Sequence, residues 1–275
     1  MTQNKQFFTR YRFPLFFLLA YLLSWWSLLG GFGLLPHGVP LAALIVIALT
    51  QGREGLREFW GRVTNFRGGR WYLVGPAILA FGLAVAFGIN VLLGAPVSAP
   101  PQLPLVAVAM LLLLGGQWEE PGWTGYALPA LQRRYAKTVN GPLIATLILG
   151  MFRALWHLPL VIVGAIPWYD GFLMNVLVFQ PIISWLYNKS RGSVPAVMVF
   201  HFMSNLLMVV VSPLFAGSEK VQYSILYYVF GFVAALVIAL RSGFKFGWQD
   251  EDERPAARPV VNLQMSQPGH PIDTA

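Results

Sequence analysis

Cysteine and charge are the two things this sequence has least of. The complete absence of cysteine excludes disulfide bonds, iron–sulfur clusters, cysteine-ligated zinc and thiol catalysis. Charged residues make up 11% of the 275 residues, whereas a soluble domain carries roughly 25%. Hydrophobic residues make up 56%. This composition argues against a soluble enzyme and predicts an integral membrane protein.

The scarcity of charge leaves long uncharged intervals, for example from Arg12 to Arg53 and from Arg70 to Glu119. A bilayer core takes about 20 apolar helical residues, so intervals of this length hold one or two spans each. We predict an all-α, polytopic integral membrane helical bundle of about eight transmembrane helices, or seven if the second is re-entrant. The predicted spans are 13–35, 37–51, 72–94, 103–119, 142–166, 171–187, 194–216 and 222–240.

The basic residues predict the orientation. With eight spans, every lysine and arginine except Lys220 and Arg153 falls on one side, which the positive-inside rule assigns to the cytoplasm together with both termini. The net charge of +8 is then a topology signal, so we expect no nucleic-acid partner. A bacterial plasma membrane is the expected location. The sequence also contains no GxGxxG or Walker loop, so we expect no nucleotide partner.

The sequence also predicts the character of the two ends of the chain and of one loop. The first apolar segment is longer than the roughly 7–15 apolar residues of a signal peptide, and no cleavage site follows it, so we expect it to be retained. Residues from about 246 onward are polar and proline-rich, which predicts a disordered cytoplasmic tail. The 51–71 loop is rich in arginine and contains tryptophan, so we expect it to lie along the lipid headgroups.

Polar side chains within the apolar segments are the candidate functional residues, because they are costly in a bilayer and usually line a cavity. We predict that Glu119 and Glu120 close the fourth span at the cytoplasmic edge, with one facing the reactant and the other supporting it. His201 and Asn205 share a helix face at i and i+4. His157 is the other histidine within a span, and it stands two residues before Pro159.

These residue types leave several chemistries open. Two carboxylates, two histidines and an asparagine fit the activation of water and the stabilisation of an oxyanion. The same set is an alternative site for a divalent metal such as zinc, although the sequence has no HExxH motif. A proton-coupled transporter uses similar residues. Each pair taken alone is also explained by helix–helix hydrogen bonds or by solvation at the membrane edge.

Three runs at these residues resemble the motifs of the CPBP intramembrane proteases, a family that includes the type II CAAX prenyl endopeptidases and the lysostaphin-resistance-like proteins. The runs are EEPGWTGYALPALQ at 119–132, WHLPL at 156–160 and FHFMSN at 200–205. The resemblance implies an intramembrane endopeptidase that cleaves a membrane-associated peptide or protein. Prenylated CAAX proteins are the best-known substrates of the family.

The resemblance also implies roles for the candidate residues. Glu119 would activate water with help from His157, Glu120 would support that site, and His201 and Asn205 would stabilise the oxyanion. If a metal such as zinc is used, His157 and His201 would bind it. The remaining alternatives are a proton-coupled transporter, or a catalytically weakened relative that acts in immunity to peptide toxins (bacteriocins) or as a membrane scaffold.

Two departures from the family pattern accompany the resemblance. The first motif usually has an arginine where this sequence has Thr124, and the second usually has an aromatic residue where it has Arg153. We therefore hypothesise that Arg153 supplies the missing cation from another helix. Helix geometry also places Glu119 and His157 at different depths if the predicted spans 103–119 and 142–166 are right.

The chain thus divides into four predicted parts. They are an N-terminal region of three spans at 1–99, a CAAX-protease-like catalytic core at 100–216, the last transmembrane helix at 217–245 and the tail at 246–275.

Overall fold

The computed structural model describes residues 8–249, and this part of the chain is helical, without a β-strand. We number its helices in chain order. They are α1 (Arg12–Trp25), α2 (Gly38–Thr50), α3 (Gly52–Val63), α4 (Trp71–Leu92), α5 (Leu105–Leu114), α6 (116–135), α7 (Gly141–Trp156), α8 (Leu158–Ile162), α9 (170–189), α10 (Val194–Val211) and α11 (Gly217–Arg241).

Within residues 8–249, four helical segments are long and apolar enough to cross a membrane. They are Arg12–Gly30, which is α1 with the 3₁₀ turn that follows it, together with Trp71–Leu92, Val194–Leu214 and Gly217–Arg241. Two shorter apolar helices, α2 and α7, pack among them. The outer surfaces of the long helices carry exposed leucine, valine and phenylalanine, the arrangement expected of a bundle surrounded by lipid. The fold is therefore an all-α polytopic membrane bundle, as the composition predicts.

The predicted fourth span, 103–119, has the wrong boundaries. Helix α5 ends at Leu114 after ten residues, which is about 15 Å and half of a bilayer core. The chain breaks at Gly115 and continues as α6, which runs antiparallel to α10, with Gly116 beside His201 and Gly125 beside Val194. Glu119 and Glu120 therefore lie inside the bundle and not at its edge. The prediction failed because it treated these charges as the end of a span, although a partner neutralises them.

Helix α6 is irregular where it carries the carboxylates. It begins with a 3₁₀ turn (Gly116–Glu119), passes through a short α-helical piece (Glu120–Gly122) and a π-helical segment (Trp123–Ala127), and ends as a regular α-helix (Leu128–Tyr135). π-Helical segments concentrate at functional sites because they redirect side chains within an otherwise regular helix.

Helices α6 and α7 form a hairpin that brings two predicted site residues to the same depth. Glu119 lies 16 residues before the end of α6 at Tyr135, and His157 lies 16 residues after the start of α7 at Gly141. At 1.5 Å per residue, each is about 24 Å from the turn that joins the two helices. The mismatch in depth that the predicted spans imply is therefore absent.

Residues at the two ends fall partly outside the described part of the chain. Of the predicted tail, residues 250–275 are outside it, as is the basic Lys5 at the start. Residues leading up to 249 lie against the bundle: the Phe246 side chain is buried, and its carbonyl accepts a hydrogen bond from Asn188 at 3.0 Å.

Candidate active site

Glu120 is the most heavily bonded side chain in the centre of the bundle. Arg153 Nη1 lies 2.9 Å from its Oε1, and Arg153 Nη2 donates to its Oε2 at 3.0 Å. Thr124, one turn later on α6, donates its hydroxyl to Oε2 at 2.5 Å, and His201 Nδ1 lies 2.7 Å from Oε1. The Glu120 and Arg153 side chains are both fully buried. The carboxylate is thus neutralised and immobilised, because a guanidinium contacts both of its oxygens.

Glu119 takes a different direction from its neighbour. Its Oε2 accepts a hydrogen bond from the indole Nε1 of Trp123 at 3.1 Å. Within the described residues its Oε1 accepts no hydrogen bond, and the residue is 3% exposed. One oxygen of Glu119 is therefore available to a bound molecule, whereas both oxygens of Glu120 are occupied.

His201 links the surroundings of both carboxylates through the two edges of its ring. Nδ1 faces Glu120, and Nε2 faces Gly116 at the start of α6. A β-carbon added at Gly116 would lie 2.5 Å from His201 Nε2 and 3.1 Å from Glu119 Oε1. The free oxygen of Glu119 and the outer nitrogen of His201 therefore both lie close to the Gly116 backbone, which can approach them because glycine has no side chain.

The end of helix α7 fixes the orientation of His157. Since the backbone N–H of His157 bonds to the Ala154 carbonyl, the Arg153 carbonyl is left without its usual helical partner. His157 Nδ1 lies 2.9 Å from this carbonyl. A carbonyl only accepts hydrogen bonds, so Nδ1 carries the proton and a neutral ring keeps its lone pair on Nε2. That is the state of a histidine able to act as a base.

Asn205 lies one helical turn after His201 on α10 and is partly buried. Its side chain makes no hydrogen bond with any other residue between positions 8 and 249. The structure thus joins Glu120 to His201 by direct contact, and Glu119 precedes Glu120 on α6. His157 lies one helical turn after Arg153, which contacts Glu120, and Asn205 lies one turn after His201.

Aromatic side chains from three helices surround the carboxylates. Phe16 and Phe17 of α1 pack on the Trp123 ring, with ring centroids 5.5 and 6.1 Å away, and Phe17 stacks on Phe152 at 3.7 Å. On the other side, Phe179 contacts both the Arg153 guanidinium and the His201 ring. These rings make the surroundings of the polar groups apolar, which strengthens the electrostatic interactions among them.

The alternative of a zinc site depends on which donor atoms the site offers. In residues 8–249 no three or more His, Cys, Asp or Glu side chains are placed so as to hold a metal ion. Both oxygens of Glu120 are already bonded, and the Arg153 cation beside them opposes the approach of a divalent cation. This donor set does not fit a zinc site, so no step of the proposed reaction uses a metal.

Two site residues were not found from the sequence. Trp123 donates a hydrogen bond to Glu119, four residues earlier. Residues at this spacing are neighbours on a helix, so the contact could have been predicted. Gly116 lies next to the carboxylate pair, but a single glycine in an apolar segment gives no signal of its own. The hypothesis about Arg153 correctly identified a cation near the glutamates, and its partner is Glu120.

Two comparisons bear on the central part of the chain. The sequence model of the family described as "Type II CAAX prenyl endopeptidase Rce1-like" matches residues 101–207. The chain is also 37% identical over 111 residues to "CAAX prenyl protease 2" of Methanococcus maripaludis. That similarity covers 37% of this chain and 39% of the archaeal protein, so it does not extend to the whole of either.

The family match includes the three motifs that carry the candidate residues. Glu119 and Glu120 come from the first motif, His157 from the second, and His201 and Asn205 from the third. Through residues 101–207, this chain is thus similar to the Rce1-like type II CAAX prenyl endopeptidases.

Proposed function

We propose that this protein is an intramembrane endopeptidase that hydrolyses a peptide bond in membrane-associated substrates, using water activated by glutamate and histidine. The observation that carries the proposal is the arrangement at Gly116. The Gly116 backbone lies close to the unbonded oxygen of Glu119 and to Nε2 of His201, and the other ring nitrogen of His201 contacts Glu120.

The proposed reaction starts from a water molecule beside Glu119 Oε1. Glu119 takes one proton from this water while the oxygen attacks the carbonyl carbon of the scissile bond. His157 Nε2, which keeps its lone pair in the neutral ring, accepts a hydrogen bond from the same water and orients it. The product of this step is a tetrahedral intermediate with a negative oxygen.

His201 and Asn205 are the proposed donors to that oxygen. His201 donates through Nε2 while its Nδ1 contacts Glu120 at 2.7 Å, an arrangement that requires a ring protonated at both nitrogens. Asn205 donates through its amide. The intermediate collapses when the C–N bond breaks, and the proton held by Glu119 passes to the leaving amine.

Glu120, Arg153 and Thr124 act as positioning residues in this scheme. Glu120 holds the His201 ring, and Arg153 holds Glu120 in place of the motif arginine that Thr124 replaces. The buried Arg153 guanidinium contacts both oxygens of Glu120 and so fixes the carboxylate. Glu120 in turn restricts the His201 ring to a narrow range of orientations.

The proposed substrate is a polypeptide anchored in the membrane by an apolar or prenylated C-terminal region. The curated relative is named a CAAX prenyl protease, and a cavity of about 330 Å³ supports a similar substrate here. Apolar side chains of α5 and α10 line it, and it includes Gly115, directly beside the proposed reaction space. Lipid is the proposed surrounding medium, with both termini in the cytoplasm.

The test is cleavage of a library of farnesylated and unmodified peptides by the purified protein in lipid nanodiscs, with products identified by mass spectrometry. We expect new termini with wild-type protein and with the surface variant Glu54→Gln, and none with Glu119→Gln. Cleavage that persists in Glu119→Gln would refute the site. A folded wild-type protein that yields no new terminus from any peptide would instead favour a transporter or an inactive relative.

A further inference from the structure

A second cavity, which is polar, lies away from the proposed active site at the end of the bundle that carries Arg62, Arg133 and Arg191, here called the basic end. It has a volume of about 990 Å³, at the upper end of the range of roughly 300–1,000 Å³ for small-molecule sites. Its walls come from α3, the last turn of α6, the turn after α9 and the segment at 247–249. The charged residues that line it are Glu58, Arg62, Arg133 and Arg191.

The charge of this cavity is positive and partly unpaired. Arg62 lies 3.6 Å from Glu58 and also donates its Nε to the Gly125 carbonyl at 2.8 Å. Arg133 and Arg191 form no ion pair with any residue in the described part of the chain. Two guanidinium groups without an ion-pair partner thus line the cavity, and its one carboxylate, Glu58, already lies beside Arg62.

Gln132 provides an independent sign that a ligand belongs in the cavity. It lines the cavity on α6, is only 1% exposed, and its amide Nε2 has no hydrogen-bond partner among the described residues. A buried donor without a partner costs about 1–3 kcal/mol, so native structures rarely leave one. A bound acceptor at this point would remove that cost.

Phosphate is the ligand that suits these donors best. The planar guanidinium binds phosphate oxygens through two parallel hydrogen bonds, and an amide N–H adds a third donor. Helix α3 indicates the source of the phosphate. It has a charged face and a buried Phe59, the pattern of a helix that lies at the headgroup level of a bilayer. Anionic headgroups concentrate beside basic residues at that level.

We infer that this cavity binds the phosphate headgroup of an anionic glycerophospholipid, with Arg133, Arg191 and Gln132 as its donors. This inference is independent of the proposed protease activity, since it concerns other residues and needs no reaction. The lipid would link α3, α6 and the turn after α9 at one end of the bundle.

The test compares the binding of phosphatidylglycerol and phosphatidylcholine to the purified full-length protein by native mass spectrometry. We expect selective retention of phosphatidylglycerol, weakened roughly tenfold in Arg133→Gln and in Arg191→Gln. The matched control is Arg134→Gln. It removes the same charge from the next residue, whose guanidinium lies over the Phe13 and Tyr135 rings and does not line the cavity.

Two further variants, Arg134→Gln and Gln132→Leu, distinguish a specific lipid site from a general effect of charge. Equal weakening in Arg134→Gln, or equal retention of phosphatidylcholine, would show an unspecific charge effect and overturn the inference. Displacement of the lipid by inorganic phosphate would show a free-phosphate site and overturn the assignment to lipid. Gln132→Leu should weaken retention several-fold without lowering the melting temperature, because Nε2 loses no hydrogen bond; unchanged retention would count against the inference.

Discussion

Arg153 contacts both oxygens of Glu120 across two helices, with Nη1 2.9 Å from Oε1 and Nη2 3.0 Å from Oε2. Neither side chain is accessible to solvent. The cation beside this second glutamate comes from the helix that carries His157, whereas Thr124, four residues after Glu120, is neutral. This relationship suggests several measurements on the neutral partner Thr124 and on the two glutamates.

Removal of Arg153 should destabilise the fold, and an arginine at 124 should restore it. Arg153→Phe leaves the Glu120 carboxylate buried without its cation, which typically costs about 3–5 kcal/mol. The double variant Arg153→Phe/Thr124→Arg returns the arginine to α6, one turn from Glu120, and should recover most of the stability and cleavage. Thermal unfolding in detergent and peptide cleavage measure both effects, with the exposed Arg53→Ala as control. A double variant no more stable than Arg153→Phe would contradict this exchange of positions.

The two adjacent glutamates should differ in what their loss affects. Glu119→Gln keeps an oxygen for the Trp123 indole, so stability should change little, while kcat should fall by about 10²–10⁴ if Glu119 is the base. Glu120→Gln removes the charge that balances Arg153, so the melting temperature should fall strongly. Parallel measurement of kcat and melting temperature for both variants tests this. Two equally destabilised variants would show that both glutamates are structural.

Gly116→Ala should abolish most activity without unfolding the protein. The added methyl would lie 2.5 Å from His201 Nε2 and 3.1 Å from Glu119 Oε1, so these side chains must move. Displacements of about 1 Å typically cost 10²-fold in rate. The control is Gly88→Ala on α4, where an added β-carbon meets no atom within 4 Å. Cleavage by Gly116→Ala at the wild-type rate would mean that the substrate does not react beside Gly116.

Gly122→Ala should lower stability because α6 and α2 approach through their backbones at this point. A β-carbon there would lie 2.6 Å from the Val39 carbonyl oxygen, which cannot turn away as a flexible side chain can. Overpacking of this kind costs about 1–3 kcal/mol. Comparison with Gly61→Ala, which has open space, isolates the contact by chemical or thermal unfolding. Equal stability of the two variants would argue against close packing of α2 on α6.

Some of these features were accessible from the sequence and others depend on tertiary contacts. Charge-free intervals predicted the apolar helices because lipid demands uninterrupted hydrophobic segments. The depth of Glu119 was predicted incorrectly, since a sequence does not reveal that Arg153 neutralises the adjacent Glu120 from a helix 33 positions away. The role of Gly116 was also hidden, because only the packed structure shows how close its backbone comes to His201.

The hairpin of α6 and α7 also sets a minimum tether length for any substrate that approaches from the basic end. Glu119 and His157 lie about 24 Å from the turn that joins these helices. An extended polypeptide covers at most about 3.3–3.6 Å per residue, so roughly seven residues must enter the bundle before a peptide bond reaches the carboxylate. A folded domain with fewer residues before its cleavage site would keep the peptide bond away from Glu119. In the proposed reaction, the length of this unfolded segment would therefore select substrates independently of their sequence.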